Sequence, residues 1–239
     1  MGARSTDLAR QTADVVLEHE DLRSILAAVA EGRIVQDNLR RAIRFQVAGN
    51  LGELLLVLGG SAAGRRLISP LGLLWINLIT DTLPGLALAL DPGDPRVLDR
   101  PPAPPQAPIL DRRDWKRVAR DGALIAGASG VAAIAGGPLA SFASVAASQF
   151  GYAATCVAPG AVRDGKRFAL LVGGSAALHL LAVATAPMRA LVQIQGSVPI
   201  ALACFGLALG APLYLAWRRR THHEITRIGI HYQRKESSP

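Results

Sequence analysis

The 239-residue sequence has few aromatic and few charged residues. Phe, Trp and Tyr make up 5% of the chain and charged residues 18%, whereas hydrophobic residues make up 50% and the mean hydropathy is +0.28. This balance is unlike that of an ordinary soluble domain and is typical of a membrane protein. No secretory signal is evident, because the first apolar span begins only near residue 45.

Cysteine and histidine are also scarce. Cys156 and Cys204 are far apart in the sequence, which gives little support for a disulfide or a soft-metal site. His179 is alone in an apolar span, where a packed histidine is more common than a metal ligand. The histidines near the end of the chain lie in a basic, solvated tail. The scarcity of cysteine and histidine therefore argues against a copper or zinc site.

Acidic residues are outnumbered, 18 against 26 Lys and Arg, and the net charge is +8. All the basic residues except Arg65, Arg66 and Arg189 fall on one side of the predicted spans. By the positive-inside rule both termini are cytoplasmic, in a multi-pass protein of the cell inner (plasma) membrane whose direct partner is lipid. No basic stripe is interleaved with aromatic residues, so nucleic acid is not an expected partner.

Long hydrophobic runs are abundant, and they predict an all-α integral membrane protein with a six-helix transmembrane bundle. The predicted spans are Phe45–Ala63, Ile68–Leu90, Gly122–Gly136, Pro138–Ala158, Phe168–Met188 and Val198–Trp217. The third is short and is expected to begin earlier, near Val118. Residues 45–90 form a helical hairpin, 91–117 a cytoplasmic Pro-rich loop, 118–217 a four-helix region and 218–239 a basic cytoplasmic tail.

The second span contains polar residues that a membrane helix rarely tolerates. Asn77, Thr80 and Asp81 are spaced to share one face of an α-helix. An ionised Asp at bilayer depth costs roughly 2.5 to 3.5 kcal/mol, so it persists mainly where it faces a cavity or binds something. Pro84 has no N–H to donate to the Thr80 carbonyl, which leaves that oxygen free for a ligand. The cluster therefore predicts a cation site.

A second polar pair, Asn50 and Glu53, lies in the first span with the same helical spacing. Neither span contains Lys or Arg, so a bound divalent cation is the simplest counter-charge for Glu53 and Asp81. Two alternatives remain open: both acids are protonated, or they line a wet crevice. Gln149 could supply another oxygen or simply a hydrogen bond between helices. Oxygen ligands favour Ca²⁺, Mg²⁺ or Mn²⁺ over soft metals without distinguishing among them.

The parts outside the membrane are small. Residues 14–17 predict a short strand, and the pattern through Ile25, Val29 and Ile34 predicts a helix that Gly32 interrupts. From Val35 a basic helix should continue unbroken into the first span as a stalk. The proline-rich segment 91–108 is expected to be extended and exposed.

Several motifs resemble the C-terminal portion of P-type cation-transporting ATPases, of the calcium-pump-like bacterial kind. They are Thr-Ala-Asp-Val-Val-Leu at 12–17, Glu-Gly-Arg at 31–33, Asn38, Ile-Arg-Phe at 43–45, Asn-Leu-Gly-Glu at 50–53, Leu-Trp-Ile-Asn-Leu-Ile-Thr-Asp at 74–81 and Asp-Arg-Pro-Pro at 99–102. The match is specific over residues 1–102. Beyond residue 109 it is a similarity of pattern.

This resemblance implies that residues 1–44 are the end of a phosphorylation domain and its stalk, and that the spans are the last six transmembrane helices of the family. It also implies that Asn50, Glu53, Asn77, Thr80 and Asp81 coordinate the transported cation. The same five residues follow independently from burial cost and helical spacing.

The family's catalytic motifs are missing from the sequence. It has no Asp-Lys-Thr-Gly, no Thr-Gly-Glu and no Thr-Gly-Asp-Gly hinge, so no ATPase activity is expected from this chain alone. ATP and Mg²⁺ would act only through a catalytic half, which could be a separate polypeptide of the same pump. The alternatives are a non-enzymatic membrane partner, a passive cation conductor, and a non-functional gene remnant.

Overall fold

The computed structural model describes residues 6–17, 21, 23–94, 96–104, 106–157 and 165–210, and this part of the chain is helical without any strand. The helices, in chain order, are α1 (Asp7–Thr12), α2 (Arg23–Ala62), α3 (Pro70–Trp75), a π-helical turn (Ile76–Asp81), α4 (Thr82–Ala89), α5 (Arg112–Cys156), α6 (Gly165–Ala184), α7 (Ala186–Leu191) and α8 (Val198–Gly210). A 3₁₀ turn covers Val97–Asp99. The all-α class is confirmed.

Four helices are long and apolar enough to cross a membrane: α2, the continuous Pro70–Ala89 helix, α5 and α6. Large apolar side chains lie on their outer surfaces, such as Ile134, which is 79% exposed, and Leu170, which is 75% exposed. Such exposure is costly in water and is expected of side chains that face lipid. Part of the predicted sixth span and all of the basic tail lie outside the described residues.

Helix α2 joins the predicted stalk to the first span without a break, as expected. Its 40 residues correspond to a length of about 60 Å, twice the thickness of a hydrocarbon core. Gly32 does not interrupt it, which corrects the prediction; a single glycine costs a helix only about 1 kcal/mol. The predicted strand at 14–17 is also wrong. Those residues form a bend and irregular backbone, and the described chain offers no strand for them to pair with.

Helix α5 is two antiparallel helices joined at Gly137, where the backbone leaves helical geometry with φ 73° and ψ −162°. A straight helix of 45 residues would be about 68 Å long. Instead, Asp114 near its start and Cys156 at its end both contact Arg44, at 3.6 Å and 3.7 Å. The chain therefore doubles back at Gly137 and Pro138, between the third and fourth predicted spans.

The second half of α5 is the centre of the bundle, and nearly every residue from Leu139 to Ala153 is buried. Its many Ala and Ser side chains let neighbouring backbones approach closely, which is how helices pack in lipid. His179 of α6 is fully buried against it, with its ring centroid 4.4 Å from that of Phe142. His179 is thus a packed residue, as its isolation in the sequence suggested.

The segment after α4 is folded against α2 up to Arg100, which corrects the prediction that all of 91–108 is extended and exposed. Arg33 donates hydrogen bonds to the carbonyls of Val97, at 3.2 Å, and Arg100, at 2.8 Å. Asn38 donates to the carbonyl of Asp91, and Arg100 forms an ion pair with Asp37 at 2.6 Å. Residues 101–104 are exposed and irregular, as expected. Prolines predict where helices are absent, but not which polar groups of another helix bind the loop backbone.

Ion pairs also attach the start of α5 to α2. Asp111 caps α5 by accepting the backbone N–H groups of Arg113 and Asp114. Arg40 of α2 contacts both Asp111, at 2.7 Å, and Asp114, at 2.5 Å. We call this region, comprising residues 33–44 of α2 with 91–114, the stalk end of the bundle.

Candidate cation site

The second predicted span is an interrupted helix. Ser69 caps its start by accepting the N–H of Gly72, and Pro70 occupies the first turn, where a missing N–H does no harm. The turn Ile76–Asp81 is π-helical, with hydrogen bonds that reach five residues along the chain instead of four. Thr82 adds to this spacing because its hydroxyl donates to the carbonyl of Asn77 at 3.2 Å. The turn coincides with the predicted polar cluster.

The π-helical turn changes which residues share a face. Thr80 is fully buried and Asp81 is 5% exposed, whereas Asn77 lies exposed at the edge. An α-helix would place all three on one face, but the wider turn rotates Asn77 away from the two that follow. Asn77 still reaches the interior through its amide, which donates to Glu53 Oε2 at 3.4 Å and to the Leu73 carbonyl at 3.0 Å.

Glu53 is the centre of the hydrogen bonds between helices. It is 5% exposed on α2, and Gln149 of α5 donates to its Oε1 at 2.9 Å. Helices α2, α5 and the π-helical turn therefore meet at one carboxyl group. Asn50 lies exposed on α2 and forms no hydrogen bond with the other five predicted residues, all of which the structure describes. The predicted residues thus divide into four that are buried in the interior and two that are exposed at the edge, Asn77, whose amide reaches Glu53, and Asn50.

Three oxygens in this group are buried and have no hydrogen-bond donor: Asp81 Oδ1, Thr80 Oγ1 and Gln149 Oε1. Asp81 Oδ1 and Gln149 Nε2 both lie beside Gly49 of α2, at 3.7 Å and 2.8 Å from the position that a Cβ would occupy there. A buried oxygen without a donor costs about 1 to 3 kcal/mol. Oxygens of this kind are among those that bind hard cations.

The charge balance also suits a cation. Glu53 and Asp81 are both buried, and none of the ion pairs in the described part of the chain includes either of them. Carboxylate, amide and hydroxyl oxygens are the ligands of hard cations such as Ca²⁺, which takes six to eight of them. The described residues contain no group of three or more His, Cys, Asp or Glu. A metal here would therefore rely on neutral oxygens besides the two carboxylates.

Two residues around this group were missed by the sequence analysis. Gly49 allows α5 to approach, since a side chain there would collide with Gln149. Ser175 of α6 donates to the carbonyl of Ile79, inside the π-helical turn, and so ties α6 to the interrupted backbone. The sequence signals for them were weak: a glycine next to Asn50 in a long helix, and a single serine four residues before His179. Neither signal indicates which residue of another helix is contacted.

Comparison with known proteins assigns the family. The family model described as "Cation transporting ATPase, C-terminus" matches residues 66–220. "Calcium-transporting ATPase" of Bacillus subtilis (strain 168) is 36% identical over 122 residues, which are 50% of this chain and 14% of that protein. "Calcium-transporting ATPase 1" of Bacillus cereus is 44% identical over 106 residues, 43% of this chain and 12% of that protein.

A third relative is "Probable cation-transporting ATPase F" of Mycobacterium tuberculosis (strain H37Rv), 43% identical over 111 residues, or 46% of this chain and 12% of that protein. The matched parts thus cover only 12 to 14% of these three relatives. The family model, in contrast, covers more than half of this chain, including the π-helical turn and the helices after it. The chain therefore belongs to the P-type cation-transporting ATPases, as a C-terminal membrane portion.

Proposed function

We propose that this chain is the part of an ATP-driven cation pump through which the cation crosses the membrane, and that Glu53 and Asp81 bind the cation. The observation that carries the proposal is the pair of buried carboxylates without a basic partner, together with the donor-free, buried oxygens Asp81 Oδ1, Thr80 Oγ1 and Gln149 Oε1. Two buried carboxyl groups without a basic partner are either protonated or compensated by a bound positive charge, and the neighbouring oxygens without donors favour a bound cation.

The coordination set that we propose comprises Glu53, Asn77, Thr80, Asp81 and Gln149, together with the Thr80 carbonyl freed by Pro84. Asn50 joins them only if its side chain turns inward from the exposed position it has here. The transported ion that we favour is Ca²⁺, because two of the three relatives described above are named as calcium-transporting and the ligands are hard oxygens. Mg²⁺ and Mn²⁺ are the competing ions.

We further propose six membrane crossings with both termini on the cytoplasmic side of the plasma membrane. The doubling back of α5 at Gly137 supports two crossings by that helix. The turns at 63–69 and 185–197 hold only three of the 26 Lys and Arg residues, and this bias supports the orientation. ATP hydrolysis would require the phosphorylated Asp and nucleotide site of a catalytic part, whose motifs this sequence does not contain.

The test is cation binding by the purified full chain in lipid nanodiscs. We expect Ca²⁺ to raise the midpoint of thermal unfolding, because a ligand that binds only the folded state stabilises it. Asp81→Asn should abolish this effect, since it removes one of the two charges that attract the ion. Mg²⁺ and Mn²⁺, titrated in parallel, rank the competing ions.

The matched control is Asp94→Asn, which removes the same charge from a carboxylate of the stalk end that is 23% exposed and pairs with Arg96. This variant should respond to Ca²⁺ as the unmodified chain does. An equal response from Asp81→Asn and the unmodified chain would show that the cation binds elsewhere, and no response from the unmodified chain would contradict the proposal itself.

A further inference from the structure

At the end of the bundle opposite the stalk end, a cavity of about 850 Å³ opens between two connecting segments. One segment, 63–69, joins α2 to α3, and the other, 185–197, contains α7 and leads into α8. The Ser69 hydroxyl donates to the carbonyl of Val192, and the Ile194 side chain packs on Gly72. These contacts fix the two segments together, so the cavity is part of the packed structure.

Two arginines line this cavity, Arg66 and Arg189. Neither takes part in an ion pair with a described residue. No Asp or Glu occurs in 63–69 or 185–197, and no acidic residue lines the cavity. The two positive charges are therefore unbalanced in a concave site, where the field they produce attracts anions.

The Arg189 side chain is held in a fixed position by two hydrogen bonds. Its Nη1 donates to the carbonyls of Val183, at 2.9 Å, and Ala184, at 2.8 Å, at the end of α6. Because an arginine has five N–H donors, these two bonds leave others available to a ligand. The planar guanidinium suits the paired oxygens of a phosphate group better than a lysine would.

Further amide donors come from the turn after α7. Gln193 and Gln195 both line the cavity and are exposed. Gln193 has φ 54°, a left-handed conformation that glutamine rarely adopts and that costs on the order of 1 kcal/mol. This conformation is retained beside the two arginines, where it turns the chain around the cavity.

We propose that this cavity binds a phosphate group, with Arg66 and Arg189 as its cationic ligands. The cavity lies where α3 begins and α6 ends, which is the level of lipid headgroups for helices that cross the membrane. An anionic phospholipid presents its phosphodiester at that level, and inorganic phosphate carries the same chemistry from solution. The proposal does not depend on the cation site, since it involves none of the same residues.

The test compares lipids bound by the full chain in detergent, measured by native mass spectrometry. Phosphatidylglycerol should bind more tightly than the zwitterionic phosphatidylcholine. Arg66→Gln and Arg189→Gln should each weaken phosphatidylglycerol binding by about tenfold, the effect of losing one charged hydrogen bond. Arg66→Gln is the decisive variant, because the exposed Arg66 side chain supports no described hydrogen bond, whereas Arg189 also anchors the end of α6.

Arg65→Gln is the matched control. It removes the same charge from the adjacent position, but Arg65 lines a different, mostly apolar cavity of about 480 Å³. Binding should therefore be unchanged. A loss as large as that of Arg66→Gln would overturn the proposal in favour of general charge attraction, and so would an unaffected Arg66→Gln.

Inorganic phosphate distinguishes the two sources of the group. Displacement of bound phosphatidylglycerol by millimolar phosphate would support a site that also accepts the free ion. Binding that resists phosphate, but still depends on Arg66, would support the lipid headgroup as the ligand.

Discussion

Asp114 at the stalk end and Glu53 in the middle of the bundle are both buried carboxyl groups, but their surroundings are opposite. The side chain of Asp114 is 3% exposed and lies within 4 Å of Arg40, Arg44 and Arg117. Glu53 is 5% exposed, and its hydrogen bonds come from the neutral amides of Gln149 and Asn77. The first carboxylate joins two helices through opposite charges. The second, when ionised, has a negative charge that no side chain of the described part neutralises.

This difference suggests that Asp114 stabilises the fold, whereas Glu53 is a candidate cation ligand. When a buried carboxylate is paired, removing it leaves uncompensated positive charge and destabilises the fold. When it is unpaired, its burial is itself unfavourable, and removing the charge should relieve the fold while weakening any cation site. The two regions therefore predict opposite effects of the same chemical change.

The largest expected effect comes from Asp114→Asn, which should lower the free energy of unfolding by about 1 to 3 kcal/mol through loss of charged hydrogen bonds. Glu53→Gln should leave the stability of the cation-free protein unchanged or raise it, because the amide keeps a hydrogen-bonding side chain without the charge. Thermal unfolding of both variants in detergent, with a chelator present, measures this contrast. Equal destabilisation by the two changes would mean that Glu53 is structurally paired as Asp114 is.

A smaller effect should follow from Gly49→Ala. The new methyl group would lie 2.8 Å from Gln149 Nε2 and displace it from Glu53. We expect a shift of the Ca²⁺ dependence to about tenfold higher concentration, the result of losing one hydrogen bond to a charged group. The measurement is the rise of the unfolding midpoint with Ca²⁺.

Gly59→Ala is the control for that change, since it lies on the same helix and no heavy atom is within 4 Å of its Cβ position. It should stabilise the protein by about 0.5 to 1 kcal/mol through helix propensity and leave the Ca²⁺ dependence as it was. If both variants behave alike, the contact between Gly49 and Gln149 has no part in binding.

The sequence predicted the helical class, the continuity of α2 and the polar residues of the first two spans, because burial cost and helical period are properties of local sequence. It did not predict the π-helical turn, since that depends on contacts such as the one between Ser175 and Ile79. Asn77 consequently lies at the edge of the group instead of inside it, and Asn50 is exposed on the regular helix α2.

The loop at the stalk end is a second feature that the sequence did not predict correctly. Asp and Pro residues at 91–108 indicated a solvated loop, yet Asp91 and Val97 are buried against α2. The difference arises from Arg33 and Asn38, which bind loop carbonyls more than 50 residues away along the chain. Hydrogen bonds to backbone groups leave no trace in the sequence of the loop that accepts them.

The smallest expected effect is a pH dependence at the stalk end. The backbone N–H of Asp114 and the Arg40 side chain hold the pKa of Asp111 below its ordinary value of about 3.9. A carboxyl group with a lowered pKa stabilises the fold at pH values above its unfolded-state pKa, and this stabilisation is lost as the pH falls through the lowered pKa.

Asp111→Asn keeps a residue that caps helices well but carries no charge. The unmodified chain should therefore unfold at a higher temperature than Asp111→Asn at pH 6, and the difference should disappear as the pH is lowered below about 3.9. A difference that is independent of pH would assign the role of Asp111 to capping, without a contribution from its ion pair with Arg40.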